Sequence, residues 1–143
     1  MDTATLVDIF REEENSGLLG TDAVRDGVDV PGRSLRLLVF DRVPWPRPDL
    51  KHKARKKAFG GSRYDDMLTR LKLKQAYGRL LRRETDFGVF VMLDSMMPTR
   101  LTTAFPPDVP IERLGLKDAI AMTRNFISEK ETEHRKILLD KTK

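Results

Sequence analysis

Apolar positions along the chain come in short blocks, and their spacing changes from block to block. In TATLVDIFREEE, Leu6, Val7, Ile9 and Phe10 gather on one side of a helical wheel and acid closes the segment. This predicts an amphipathic helix, stopped by Asn15-Ser16-Gly17. GLLGT reads as a short buried strand, and GTDAVRDGVDVPG, from Gly20 to Gly32, as a loop dense in glycine and aspartate. LRLLVFD, from Leu35 to Asp41, predicts a second strand in which Arg36 needs an edge or a strand end. VPWPRPD holds Pro44, Pro46 and Pro48 and must be an extended or turn connection, because proline lacks the amide proton and fixes φ. Helices are predicted from about Asp49 to Phe59, stopped by Gly60-Gly61, and from about Tyr64 to Arg83. Met67, Leu68, Leu71, Leu73 and Leu80 supply the apolar positions of the second. FGVFVMLD is apolar almost throughout, the pattern of a strand covered on both faces. MMPTRLTTAF reads as a short helix, VPIERLG as a fourth short strand and LKDAIAMTRNFIS as a final amphipathic helix. The Lys/Glu-rich tail from 129 to 143 is expected to fray.

Strands alternating with helices predict an α/β fold, with a mostly parallel sheet flanked by helices. Three or four strands is thin for such a sheet, and the chain opens directly on a helix. A parallel sheet needs both faces covered and its edges managed. Elements upstream are therefore expected to be missing, and the apolar edge left behind predicts self-association.

Composition narrows the function classes. The chain has 143 residues, 39% hydrophobic and 34% charged, which suits one soluble domain with a real core. It has no apolar run able to span a bilayer and an acidic N-terminus without a signal-peptide core, so a cytoplasmic protein with no membrane partner is expected. With no cysteine there are no disulfides, thiolate metal sites, cysteine nucleophile or iron–sulfur ligand. The net charge of +5 leans toward polyanions, and base clusters from Arg47 to Lys57 and from Arg70 to Arg83. Such a band can track a phosphate backbone, although a solvated helix face is the commoner cause.

The densest candidate chemistry is QAYGRLLRRE. Gln75, Arg79 and Arg82 stand at i, i+4 and i+7, so a continuous helix puts all three on one face, with Gly78 leaving room for close approach. Guanidinium forks suit phosphate. On spacing alone, a surface helix with ordinary basic residues is the favoured alternative. In open α/β sheets ligands bind at the carboxyl ends of strands. Three groups are expected there: the loop with Asp22, Asp26 and Asp29, the proline loop with Trp45 between Arg42 and Arg47, and the Gln75, Arg79 and Arg82 helix. Trp45 either stacks on a nucleic-acid base or plugs the core. GTDAVRDG lacks the Gly-Lys-Thr/Ser of a P-loop, His52 and His134 form no metal pair, and no G-x-S-x-G elbow is present. Asp65 and Asp66 are helix neighbours that do not face each other, and Met96-Met97 reads as core filler. No complete catalytic set and no metal site is read from the chain.

In their order these segments resemble the C-terminal motor domain of superfamily-two ATP-dependent DNA helicases. The likeness is to the DinG-like branch, relatives of the XPD helicases, and runs from about Thr5 to Phe126. That branch carries a Gly-(Ser/Thr)…(Glu/Asp)-Gly-x-Asp motif V, matched at Gly20, Thr21, Asp26, Gly27 and Asp29. Its Gln-x-x-Gly-Arg-x-x-Arg motif VI is matched at Gln75, Gly78, Arg79 and Arg82. The resemblance implies an incomplete RecA-like (P-loop NTPase type) second motor domain over residues 1–128. ATP would lie between this domain and a preceding P-loop motor domain of the same parent protein, which would supply most of the hold on ATP and Mg²⁺. Arg82 is the first choice for the arginine finger and Arg79 the second, with Gln75 sensing the γ-phosphate or its water. Gly78, Asp26, Gly27 and Asp29 would serve the nucleotide side, the two acids contacting nucleotide or motif VI. Gly20 and Thr21 would lie near the DNA backbone, and the basic band of Arg47, Lys53, Arg55, Lys56 and Lys57 would bind single-stranded DNA.

Two departures stand out. Val24 and Arg25 precede the motif V acid where an aromatic is frequent, and Asp26 replaces the commoner Glu. The first motor domain and the opening strands of the second are absent, so Met1 is expected to be an internal methionine or the start of a fragment. The chain alone is expected not to hydrolyse ATP. The competing expectation is a stand-alone nucleic-acid-binding or interaction module that reuses a degenerate motor fold.

Overall fold

Side-chain caps set two helix starts. Asp2 Oδ1 accepts from the Thr5 amide at 2.8 Å to open α1 (Thr3–Glu12), and Asp49 Oδ1 accepts from the His52 amide at 2.7 Å to open α2 (Leu50–Ala58). Each satisfies an amide with no partner inside its own helix. Gly60 and Gly61, at φ 109° and 66°, turn the chain into α3 (Ser62–Leu80), in a region where a side chain would be strained. The computed structural model describes residues 2–21, 29–30 and 32–142; Asp22, Asp26 and Gly27, like Val24 and Arg25, lie outside them.

The sheet has two parallel strands, β1 (Leu37–Phe40) and β2 (Val89–Met92), in register from Leu37 opposite Val89 to Phe40 opposite Met92. Between them run α2 and α3. Thr69, Leu73, Ala76 and Leu80 form the buried face of α3 at helical spacing. Leu80 packs with Val7, Val30 and Leu35, and Leu73 packs with Val43, Leu101 and Ala104. Phe90 borders both clusters, with its ring 5.1 Å from those of Phe40 and Phe105. A side chain at Gly88 would press on Leu80 Cδ1 at 2.5 Å, so the end of α3 lies against the start of β2. The predicted α/β alternation with a parallel sheet and flanking helices is what forms.

Several expected elements differ. GLLGT makes no strand: Leu18 reaches the first cluster while Leu19 is 97% exposed. A strand exists only where a neighbour accepts its hydrogen bonds, and among the described residues β1 and β2 pair only with each other. VPIERLG makes no strand for the same reason, and Arg113 tethers it by donating to the Met97 carbonyl at 2.9 Å. MMPTRLTTAF contributes a 3₁₀ turn, Thr99–Ala104, which buries Leu101 and Ala104. β2 is half-buried along its length rather than enclosed, and Leu37 and Val39 leave an apolar face of β1 exposed. The last helix, α4 (Leu116–Lys141), continues past Ser128. Its half-buried positions, Ala119, Thr123, Ile127, Lys130 and His134, keep helical spacing across that point, and the His134 ring lies 6.4 Å from Phe87. Among the described residues no helix is long and apolar enough to cross a membrane.

Candidate functional site

On the side of α3 turned from the core, Gln75, Gly78 and Arg79 join Arg82 around one open depression. A Cβ at Gly78 would meet nothing within 4 Å, so its glycine leaves the floor of this depression clear. The four residues meet as their spacing predicts, but Arg82 arrives by another route. The helix ends at Leu80, short of the expected Arg83, and Leu81 is extended at φ −122° and ψ 91°. The physical reason is Asp86. Its Oδ2 accepts from the amides of Arg82 at 3.0 Å and Arg83 at 2.9 Å, which draws both out of the helical path. Gly32 sits against the same carboxylate, where a side chain would collide with Asp86 Oδ1.

The Arg82 guanidinium pairs with the carboxylate of Asp29. The Asp29 carbonyl accepts from Arg11 Nε at 3.0 Å, and Arg11 in turn pairs with Asp8 at 2.6 Å. Ser34 Oγ donates to the Arg11 carbonyl at 2.7 Å. Arg11, Asp29, Arg82, Arg83 and Asp86 therefore share the rim of a second, adjoining depression. Neither Arg11 nor Asp86 was indicated by the sequence; a basic residue ending a helix and an acid in a turn carry no distinguishing pattern. Arg82 and Asp29 keep 42% and 67% of their side-chain surface in solvent. An exposed pair of this kind contributes about 0.2–1 kcal/mol, so a stronger oxyanion can displace it.

This group does not lie at the carboxyl ends of the strands, where it was expected. Gly32–Ser34 and Arg36 lead into β1, and Asp86 and Phe87 lead into β2. Leu73 belongs to the cluster bordered by Phe40 and Met92, whereas Leu80 meets Gly88. α3 thus runs back along the sheet and delivers Arg82 to the amino ends. Arg36 closes this side: it donates to the Phe87 carbonyl at 3.2 Å and lies 3.6 Å over the Phe87 ring. Burial pulls its guanidinium below the ordinary arginine value, against the charges of Asp86 and Glu131.

At the carboxyl ends stands the proline loop. Asp94, just past β2, accepts from the amides of Val43 at 3.1 Å and Met96 at 3.0 Å, and these bonds hold its carboxyl below the usual carboxylate range. Val43 plugs the core at 5% exposure, whereas Trp45 stays 40% exposed. Arg47, Lys53, Arg55 and Lys57 are exposed, and α2 buries no residue. Lys56 differs from them. Its Nζ lies 2.6 Å from Asp65 Oδ2, and His52 Nε2 lies 2.7 Å from Oδ1 of the same carboxylate. Asp65 is held low chiefly by the Lys56 hydrogen bond, and Asp66 chiefly by that of Arg100 at 2.7 Å. Gly20 and Thr21 lie exposed in irregular backbone. Among the described residues no three His, Cys, Asp or Glu side chains gather to hold a metal ion.

Asp66 yields a test of these electrostatics. Its carboxyl titrates lower folded than unfolded, so it contributes stability above the ordinary carboxylate range and loses it as pH falls through the folded value. In thermal melts, Asp66→Asn should lower Tm by about a few degrees near neutral pH, and the difference from the parent should close below about pH 4.

Residues 1–110 match the family described as helicase C-terminal domain. The chain is 42% identical over 117 residues to the ATP-dependent helicase DinG of Mycobacterium tuberculosis, covering 73% of this chain and 18% of that protein. It is 34% identical over 102 residues to the ATP-dependent DNA helicase YoaA of Haemophilus influenzae, covering 66% of this chain and 16% of that protein. Against the 3'-5' exonuclease DinG of Bacillus subtilis it is 31% identical over 103 residues, covering 66% of this chain and 11% of that protein. The chain therefore spans only a small part of the length of these curated relatives. No solved structure matches it. The chain belongs to the helicase C-terminal domain family, as a DinG-like member whose mixed α/β architecture, a parallel sheet flanked by helices, is consistent with that RecA-like domain.

Proposed function

We propose that this chain is the C-terminal motor half of an ATP-dependent DNA helicase, completing an ATP site with a P-loop domain of the same parent protein. The observation that carries this reading is the meeting of Gln75, Gly78, Arg79 and Arg82 around one open depression. Guanidinium and amide donors beside an unobstructed glycine are the groups that a triphosphate tail requires. In phosphoryl transfer, negative charge spread over the γ-phosphate oxygens is stabilised by cations already in place. Arg82 acts as the finger, Arg79 assists it and Gln75 orients the γ-phosphate or its water. Asp29 parks Arg82 between turnovers and releases it to phosphate; Asp26 and Gly27 complete the nucleotide side. The carboxylates for Mg²⁺ belong to the facing domain. Arg47, Lys53, Arg55 and Lys57, with the backbone of Gly20 and Thr21, contact single-stranded DNA, and Lys56 adds its charge to the same band from its pair with Asp65.

The isolated chain should show no Mg²⁺- and DNA-dependent ATP turnover above background. Joined behind the P-loop portion of a DinG relative in one polypeptide, it should restore DNA-stimulated turnover. Turnover by the isolated chain would contradict a shared site. A folded but inactive fusion would favour a stand-alone binding module instead.

A further inference from the structure

Away from the arginine depression, at the carboxyl ends of the strands, the proline loop presents an aromatic side chain among cations. We infer that Trp45 is a stacking platform for an unpaired base of single-stranded DNA. This rests on the DNA-binding reading above and adds a contact to the base where that reading has contacts to phosphate.

The backbone that carries the indole is fixed. Pro44, Pro46 and Pro48 fix φ on both sides of Trp45. The Trp45 amide donates to the Val43 carbonyl at 2.8 Å, and the Asp49 amide donates to the Arg47 carbonyl at 2.9 Å. Asp94 secures Val43 from below, and Asp49 joins the far end of the loop to α2 as its cap. Val43 does the packing, at 5% exposure against 40% for Trp45. The indole therefore keeps a large apolar surface in water without being needed to fill the core. A loop whose backbone is already fixed loses little further backbone freedom when its aromatic stacks.

Charge selects the class of partner. Arg42 and Arg47 flank the indole in sequence, and Lys51, Lys53, Arg55 and Lys57 follow on α2, all exposed. This cationic surface favours a polyanion. Phosphate alone would use the cations and leave the indole idle. A duplex hides its base faces in its own stack, whereas a single strand offers a flat π-face at each nucleotide.

Trp45 is the sole tryptophan of the chain, so its fluorescence reports the contact directly. The chain is titrated at low salt with oligothymidylate and with a sugar–phosphate oligomer of equal length carrying abasic tetrahydrofuran units. Binding is followed in parallel by anisotropy of an end label. Oligothymidylate should quench the emission and bind about tenfold tighter than the abasic oligomer. Trp45→Ala should abolish that preference without weakening abasic binding, and Trp45→Phe should keep most of it. Equal binding of both oligomers with unchanged emission would overturn the stacking role while leaving the phosphate contacts standing. No binding of either oligomer would overturn the DNA-binding reading and the inference together. The quenching arm uses the unmodified chain, so it decides the matter even if a variant misfolds.

Discussion

Replacing Arg82 by alanine, in a polypeptide that also carries the P-loop domain, should lower kcat for ATP hydrolysis by about 10³-fold. KM should change far less, because the guanidinium is needed most where charge develops in the transition state. Arg82→Lys should recover little of the loss, since an ammonium lacks the planar fork that meets two phosphate oxygens at once. Arg79→Ala should cost less than Arg82→Ala. Asp29 supplies the internal comparison. Its exposed pair with Arg82 contributes at most about 1 kcal/mol, so Asp29→Asn should shift kcat by less than about tenfold. Single-turnover and steady-state kinetics on the four variants separate these outcomes. A loss at Arg82 confined to KM would make it a nucleotide-binding residue and remove the finger role. A loss at Asp29 as deep as that at Arg82 would assign the carboxylate a part in the chemistry beyond parking.

The meeting of Gln75, Gly78, Arg79 and Arg82 around one depression was legible in the sequence because the four are local to one another, and local spacing survives small errors in structure. The helix boundary did not read correctly. Leu81, Arg82 and Arg83 are good helix formers, so the period runs through them unbroken. What ends the helix is the Asp86 carboxylate folding back onto two amides, a contact indistinguishable in sequence from any acid in a turn. The missing GLLGT strand has another cause. Apolar composition reports that Leu18 can be buried, but it cannot report whether a neighbouring strand is present to bond with its backbone. Leu19, fully in solvent, shows how little the pattern alone decides. α4 was cut short for an opposite reason. A Lys/Glu-rich composition predicts fraying from 129 onward, yet Lys130 and His134 extend the half-buried stripe, because long polar side chains lie along apolar surface with their heads in water. The expected position of Arg82 was missed through topology: α3 runs back along the strands, so the residues that follow its last turn come to the strand starts. Arg11 had no signal at all, since its role depends on Asp29 arriving beside it from a distant part of the chain.

Neutralising Arg47, Lys53, Arg55 and Lys57 together should weaken single-stranded DNA binding by on the order of 10²-fold at low salt. The slope of log K against log salt should flatten by about 3, since each phosphate contact to a single strand contributes about 0.7 through counterion release. Anisotropy titrations over a range of salt concentrations measure both quantities. Lys56 makes the prediction sharper than a general loss of positive charge. Its ammonium lies 2.6 Å from Asp65 and must leave that carboxylate before it can bind phosphate. Lys56→Ala should therefore change the slope much less than Lys53→Ala. It should instead lower the melting temperature, because the Asp65 carboxylate loses the Lys56 ammonium and keeps the contact with the His52 ring. Equal slope changes at Lys53 and Lys56 would mean that DNA senses the summed field of α2 and not individual contacts. In that case the pairing with Asp65 tunes stability alone, and the basic helix serves as a diffuse attractor rather than a defined track for the strand.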